Sequence, residues 1–417
     1  MSGVLYKRFW RWHFWAALLV VPFLLLQTIT GTLYVWQNEW ADAFHADSRF
    51  VAVKGQPLPL DQQSDAAFAA VMGEVAGAKA LTLIVPEDPN RSTTLVFAAP
   101  NGLEFPAFIH PYTGDVLAVL SPWQWLPGWS RALHGGWPFG DAGSWFLELG
   151  ACWCIVMILT GLYLWWPRGL SLARALIPRS GLGARVWWRD LHACAAVWVS
   201  ILTLAFLFTA LPWTKFWGDN VLKPIQKAFN QQGPFGGKPL KSTGSGLSLD
   251  AAYAQARRLG MGGNVELRFD DEATSVLKIR NRQARASQEM QLSLDRANGT
   301  VLKQITWEDY KALPKAISTG VDLHEGTFFG RANQWLNTVL SMVLLWLCIS
   351  GLVSWWVRQP NKPLAQKRAP AFIDQPLPAW VWALGLGLCL LLPLLGLSVL
   401  LLWGFDTLQQ RLKATVS

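Results

Sequence analysis

The chain has 417 residues, 52% of them hydrophobic and only 15% charged, against roughly 25% charged in soluble domains. That balance excludes an ordinary soluble enzyme. The formal net charge of +9 is no argument for nucleic-acid binding, because the basic residues gather in short segments between apolar runs.

Lys7, Arg8 and Arg11 open the chain, and His13 follows in Arg11-Trp12-His13-Phe14-Trp15. The first apolar run, Phe14–Trp36, is long enough to cross about 30 Å of hydrocarbon and lacks a small-x-small cleavage site, so it reads as an uncleaved anchor. Residues 37–143 are polar. Helical spacing over Ser64–Val75 is followed by strand patterns at Ala80–Val85, Thr93–Ala98, Phe105–His110 and Val116–Leu120, which predicts a small α+β module. A second apolar run spans Trp145–Trp166, a basic loop carries Arg168, Arg174, Arg179, Arg185 and Arg189, and a third run spans Ala193–Trp213.

Residues 214–333 repeat the plan of the first module. A Gly/Ser/Lys-rich linker at Lys238–Leu247 precedes a helix at Leu249–Leu259 and strands at Val265–Phe269, Ser275–Arg280, Glu289–Leu294 and Thr300–Ile305. The fourth run is Trp335–Val357. Arg358, Lys362, Lys367 and Arg368 follow it, with the single acid Asp374, before a fifth run at Ala379–Phe405 whose Pro393 suggests a kink. By the bias of Lys and Arg toward the cytoplasm, the N-terminus and the two basic loops are expected inside. The two polar segments and the C-terminus are then expected on the other side.

The expected fold is an α-helical integral membrane protein with five spans, four of them a twofold repeat, carrying two small α+β modules. Its divisions are 1–36 (N-terminus and first span), 37–143 (first module), 144–167, 168–190 (basic loop), 191–213, 214–333 (second module), 334–358, 359–377 (second loop), 378–405 and a tail at 406–417. The repeat rests on a constant offset of 190 residues. Leu133, His134 and Gly136 match Leu323, His324 and Gly326; Thr160-Gly161 matches Ser350-Gly351; Trp165, Trp166 and Arg168 match Trp355, Trp356 and Arg358. The module turns at 109–117 and 294–302 also align.

Four of the six histidines occupy matched places. His13 and His192 stand at the cytoplasmic starts of the first and third spans, and His134 and His324 at the outer approaches to the second and fourth. One pair near each membrane face is what two bis-histidine haems would need. Gly135, Gly136 and Gly326 would let a flat ring approach the backbone. Zinc is the rival, but it wants about four ligands together, and no Cys, Asp or Glu cluster surrounds these positions. His45 and His110 have no counterpart in the second copy and read as surface residues. Arg11, Arg131 and Arg189 are candidate propionate partners, although the inner ones would equally serve topology.

The five cysteines all fall in predicted spans and read as small core residues. Residues 37–143 carry 5 basic and 11 acidic side chains (net −6), and 214–333 carry 17 and 12 (net +5); the modules would attract each other, or the basic one an anionic chelate. No dinucleotide, P-loop, Gly-x-Ser-x-Gly or His-Glu-x-x-His motif appears, so an electron donor would be a separate reductase, free reduced flavin or quinol. With no broken helix or buried acid expected mid-span, a transporter is disfavoured.

The span–module–span repeat, LHGG and LHEG, TGLYLWWPR and SGLVSWWVR, and HPYTGDVL resemble PepSY-associated transmembrane proteins over residues 5 to about 360. Members of that family include bacterial inner-membrane reductases of ferric siderophores. The resemblance implies two b-type haems held by His13, His134, His192 and His324, PepSY-like periplasmic modules, and electron transfer to a periplasmic ferric siderophore that releases iron(II) for uptake. The alternative it leaves is a non-catalytic PepSY membrane protein that regulates a peptidase or sensor. Ala210 in place of Gly31 and Asp190 in place of Arg11 make the third span's correspondence to the first rest mostly on His192.

Overall fold

The computed structural model describes residues 3–169, 171–236, 240–269, 276–283, 285–358 and 376–416. Its principal helices are α1 (Gly3–Val35), α2 (Leu60–Glu74), α3 (Leu126–His134), α4 (Gly140–Trp165), α5 (Ala184–Ala210), α6 (Leu249–Arg258), α7 (Ala312–Glu325), α8 (Arg331–Val357), α9 (Ala379–Leu391) and α10 (Pro393–Val416). The strands are β1 (Lys79–Val85), β2 (Thr93–Ala98), β3 (Glu104–Ile109), β4 (Val116–Val119), β5 (Asn264–Arg268), β6 (Leu277–Arg282), β7 (Gln291–Leu294) and β8 (Val301–Ile305). Two compact units result. One comprises Met1–Ile29, His134–Pro224 and Leu336–Ser417; the other comprises Thr30–Leu133 and Ile225–Trp335.

The first unit is helical. Among the described residues, four helices are long and apolar enough to cross a bilayer: α1, α4, α5 with its 3-10 extension to Trp213, and α8. Helix α1 starts at Gly3, eleven residues before the apolar run, because the basic residues Lys7, Arg8 and Arg11 are good helix formers that extend it. His13 is therefore well inside a continuous helix. The expected fifth span at Ala379–Phe405 is not one helix. Leu392 leaves the helical region (φ −122°, ψ 80°) and α10 begins at Pro393. Proline has no N–H to continue the ladder and clashes with the preceding turn, so α9 and α10 are each shorter as apolar helices than the other four. The tail expected from Asp406 is instead a continuation of α10 to Val416. Lys362, Lys367, Arg368 and Asp374 lie outside the described residues, as does most of the second basic loop.

The second unit corrects the expectation of two separate modules. All eight strands form one antiparallel sheet in the order β4-β3-β2-β1-β5-β6-β7-β8. The two copies meet at β1 and β5, where Thr82 pairs with Arg268, Leu83 with Leu267, Ile84 with Glu266 and Val85 with Val265. The alternation visible in sequence places Leu83, Leu95, Phe97, Phe105, Leu267, Ile279 and Leu292 on one face, fully buried against Ala67 and Val71 of α2 and Ala252 and Ala256 of α6. Merging the modules hides two sheet edges that would otherwise expose unpaired backbone and makes one core of two.

The helix starts are tied across the same axis. The Asp61 carboxylate in α2 accepts the Leu249 amide of α6 at 3.0 Å, and Asp250 in α6 accepts the Leu60 amide of α2 at 3.0 Å. Each aspartate thus satisfies an amide that its partner helix cannot satisfy itself. The closing turns also match. Gly114 and Gly299 sit at φ +78° and +74°, and the Tyr112 amide donates to His110 Nδ1 where the Ala297 amide donates to Asp295 Oδ1. His110 therefore does have a counterpart, Asp295, and it is buried rather than superficial. The Asp295 carboxylate also accepts from Ser242 and Thr243, and these hydrogen bonds, led by the Ala297 amide, hold it well below the usual carboxylate range.

Asp61→Ala and Asp250→Ala should each cost about 1 kcal/mol, the usual worth of a helix cap, read as a fall in the thermal midpoint of the purified protein. Because the Asp295 carboxylate is depressed on folding, its stabilisation is present above the ordinary carboxylate range and fades as pH falls below it. Asp295→Asn should therefore flatten the acid limb of the stability profile; an unchanged limb would show that the turn does not depend on the charge.

Candidate functional site

The first histidine pair is assembled within the helical unit. His13 of α1 and His192 of α5 bring their rings to a centroid separation of 6.5 Å, with planes 83° apart. Neither is held by its own helix. His13 Nδ1 lies 3.0 Å from the Met157 carbonyl and 3.2 Å from Thr160 Oγ1 in α4. A carbonyl can only accept, so Nδ1 carries the proton and, in the neutral ring, Nε2 keeps its lone pair. The Thr160 hydroxyl donates back to the Val156 carbonyl at 2.8 Å, which leaves it an acceptor toward His13.

His192 repeats this arrangement on α8. Its Nδ1 is 3.0 Å from Ser350 Oγ, and Ser350 donates to the Leu347 carbonyl at 3.4 Å. The glycines that follow complete the match. A Cβ at Gly161 would stand 3.1 Å from His13 Cε1, and one at Gly351 would stand 3.2 Å from His192 Cε1. Thr160-Gly161 and Ser350-Gly351 are thus seats for imidazole rings: the hydroxyl orients the ring and the glycine makes room for it. Fixing one nitrogen by a second hydrogen bond is how proteins prepare the other to bind a metal.

The other two matched histidines, His134 and His324, fall in different units. His134 is the last residue of α3. It is half-buried, and burial pushes its imidazole down to about 4, against a hydrogen bond with the Gln27 backbone. The ring is therefore neutral at pH 7, as ligation requires. His324 lies in the last turn of α7 within the sheet-bearing unit. Gly326, just after it, adopts the left-handed conformation (φ +82°) and ends the helix, with the Thr327 amide returning to the Asp322 carbonyl at 2.8 Å. Gly136 sits at φ +101° against Gly143. Gly136 and Gly326 thus serve backbone turns and close packing, a different use from the ring approach expected of them.

Arg131 pairs with Glu104 at 3.2 Å, and Arg189 shares Asp190 with Arg179. Both are engaged by acids, with guanidinium donors to spare; Arg11 also has a partner in the structure. His45 is half-buried with its ring 6.1 Å from Trp125. Among the described residues, no group of three or more His, Cys, Asp or Glu side chains could hold a bare metal ion, and the cysteines are unpaired thiols, four of the five buried. Glu148, in the first half of α4, is fully buried, an acid within a span that the expected absence of a mid-span acid did not cover, and the kink expected at Pro393 is a break between α9 and α10. The sequence carried that acid openly in Phe-Leu-Glu-Leu-Gly; the length of the surrounding apolar run obscured it.

Four membrane-length helices in two His-seating pairs, with a sheet built from both halves of a repeat, define a duplicated integral membrane protein. The chain belongs to the PepSY-associated TM region family, whose model matches residues 10–358. No curated protein matches it.

A Cβ at Gly136 would lie 2.5 Å from the Gly143 carbonyl carbon. Gly136→Ala should therefore cost more than about 1 kcal/mol through clash and positive φ together, seen as a lower thermal midpoint; an unaltered midpoint would contradict this packing.

Proposed function

We propose that the protein is a di-haem b reductase of the bacterial inner membrane, which passes electrons to a periplasmic iron(III)–siderophore and releases iron(II) for uptake. The observation that carries this reading is the His13–His192 pair. The rings stand 6.5 Å apart, close to the roughly 6 Å that two imidazole–metal bonds of about 2.0 Å would require, so His13 and His192 would hold one haem iron between them. Each has Nδ1 engaged, leaving Nε2 for a metal, and the donor set of paired neutral imidazoles suits haem iron better than zinc. His134 and His324 would form the second pair, on the strength of their matched repeat positions and, for His134, its neutral ring.

Bound haem would supply one-electron carriers at two levels of the membrane. The chain's own residues do the rest of the work. Thr160, Met157 and Ser350 fix the tautomer and orientation of the first pair, Gly161 and Gly351 admit the rings, and the apolar helices exclude water. Arg11, Arg131 and Arg189 are the candidates for propionate contact. One electron converts iron(III) to iron(II), which hard oxygen chelators hold far more weakly. The N-terminus and basic loops would lie in the cytoplasm, where a reductase, reduced flavin or quinol donates, and the joined sheet would lie in the periplasm. The residues 379–416 would complete the membrane domain as a kinked fifth element.

The purified protein should be red, with a b-type spectrum reducible by dithionite, and its reduced bands should disappear on reoxidation by a ferric siderophore. A colourless, folded preparation would return it to the non-catalytic PepSY reading. His13→Ala and His192→Ala should remove the same haem, and His134→Ala and His324→Ala the other; loss of different haems by two members of a pair would break the pairing. Gly161→Val and Gly351→Val should selectively lose the first haem, because either side chain would occupy the space of a ligand ring. The nearly perpendicular rings of the first pair predict a strongly anisotropic low-spin ferric resonance, which those variants should abolish.

A further inference from the structure

Glu148 has no part in the histidine sites. It sits in α4 about 12 Å along the axis from Gly140, at 1.5 Å per residue, and none of its surface is exposed. Its side chain points to the face of α4 opposite the one that seats His13. One oxygen, Oε2, accepts the Trp217 amide at 2.9 Å, with Thr214 and the Phe216 amide close by. The other, Oε1, has no hydrogen-bond partner. A buried carboxylate with an orphaned oxygen requires an explanation, and an ionisable residue within a span is functional by default.

Among the described residues no ion pair to Glu148 is formed. Lys215, two residues before Trp217, is turned toward Asp141 at 4.0 Å and Asp219 at 3.5 Å. Cys152, one turn on in α4, is a buried thiol. The stretches of α1 and α5 beside α4 in this region, α9 and the first half of α10 carry no charged side chain. A charged carboxylate here would bear a desolvation cost that the Trp217 amide offsets at Oε2 alone; a proton on Oε1 removes the charge.

The surroundings also offer a way in. Asp141, Ser144 and Glu148 follow one another at spacings of three and four, so they lie along one face of α4. The segment after α5 tracks that face residue by residue. Lys215 Nζ meets Asp141, the Lys215 amide donates to Ser144 Oγ at 3.1 Å, and the Trp217 amide donates to Glu148. Asp141 is exposed, Ser144 half-buried and Glu148 buried. On the far side, Trp217 Nε1 donates at 2.9 Å to the Leu391 carbonyl, at the break between α9 and α10. Interrupted helices of this kind are tolerated in membranes where they are enclosed by protein or line a polar site.

We propose that Glu148 is an internal proton-binding site, neutral when loaded on Oε1, which exchanges its proton with the solvent at the Gly140 end of α4 by way of Ser144 and Asp141. The ligand is a proton, and no bond other than O–H is made or broken. The assignment stands independently of the haem reading. Where electrons do enter the membrane unit, a proton bound at Glu148 would offset their charge.

The test is infrared difference spectroscopy on the full-length protein in liposomes. The wild type should show a carbonyl stretch of a protonated carboxylic acid that moves to lower frequency in D2O and is absent from Glu148→Gln. Ser144→Ala should slow that exchange severalfold while leaving the band in place. Should Glu148→Gln not fold, Glu148→Asp must shift the band and carboxyl-labelled glutamate must move it in the wild type. A missing band, a band unaffected by any Glu148 variant or a band that never exchanges would each overturn the proposal, leaving Glu148 as a static anchor for residues 214–217. Exchange as fast in Ser144→Ala as in the wild type would overturn the route.

Discussion

A polar side chain among apolar helices must find its partner inside the protein, and the histidines of this chain are placed by that requirement. His13 and His192 belong to the first helix of each repeat, yet their Nδ1 atoms are satisfied by the second, through Thr160 and Met157 in one copy and Ser350 in the other. Each hydrogen bond fixes three things together: the crossing of two helices, the tautomer of a ring, and the nitrogen left free. The glycine after each hydroxyl lets the helices approach with the imidazole between them. Small residues at membrane helix contacts commonly bring backbones together; here they admit a ring.

The same repeat organises the sheet-bearing unit by a different physical route. There the copies are joined by backbone pairing of β1 with β5 and by two aspartates that each cap the other copy's helix. Neither half could bury its edge strand or satisfy its first helical amide alone. Duplication supplied the missing partner in both cases. The copies also tolerate substitution where chemistry allows, as in the closing turns, where the imidazole of His110 and the carboxylate of Asp295 accept the same amide.

Glu148 marks where the repeat symmetry ends. Its counterpart at the 190-residue offset is Thr338, and α4 there packs against α10, a helix outside the repeat, and the segment after α5. The membrane unit therefore combines a symmetric histidine framework with an asymmetric polar site on the opposite face of α4. Apolar helices flank both, so each polar group depends on a few short hydrogen bonds.

Much was legible in the chain itself. Apolar runs of about 20 residues located the four long helices, period-two alternation located the strands, and the 190-residue echo singled out His134, His324, Thr160-Gly161 and Ser350-Gly351, because these signals depend on local period and spacing alone. Other features were decided only in three dimensions. That the two modules share one sheet depends on pairing between strands some 180 residues apart, which leaves no trace in either strand. That Thr160 and Ser350 seat His13 and His192 depends on which helix packs against which. Helices α3 and α7 have no long apolar run of their own to mark them, and the fifth run, where Pro393 points to a kink, is split into α9 and α10 because proline has no N–H to continue the ladder. Glu148 was present in the sequence as one letter in an apolar run; its burial and its orphaned oxygen exist only once α10 packs on α4 and the segment through Trp217 folds back onto it.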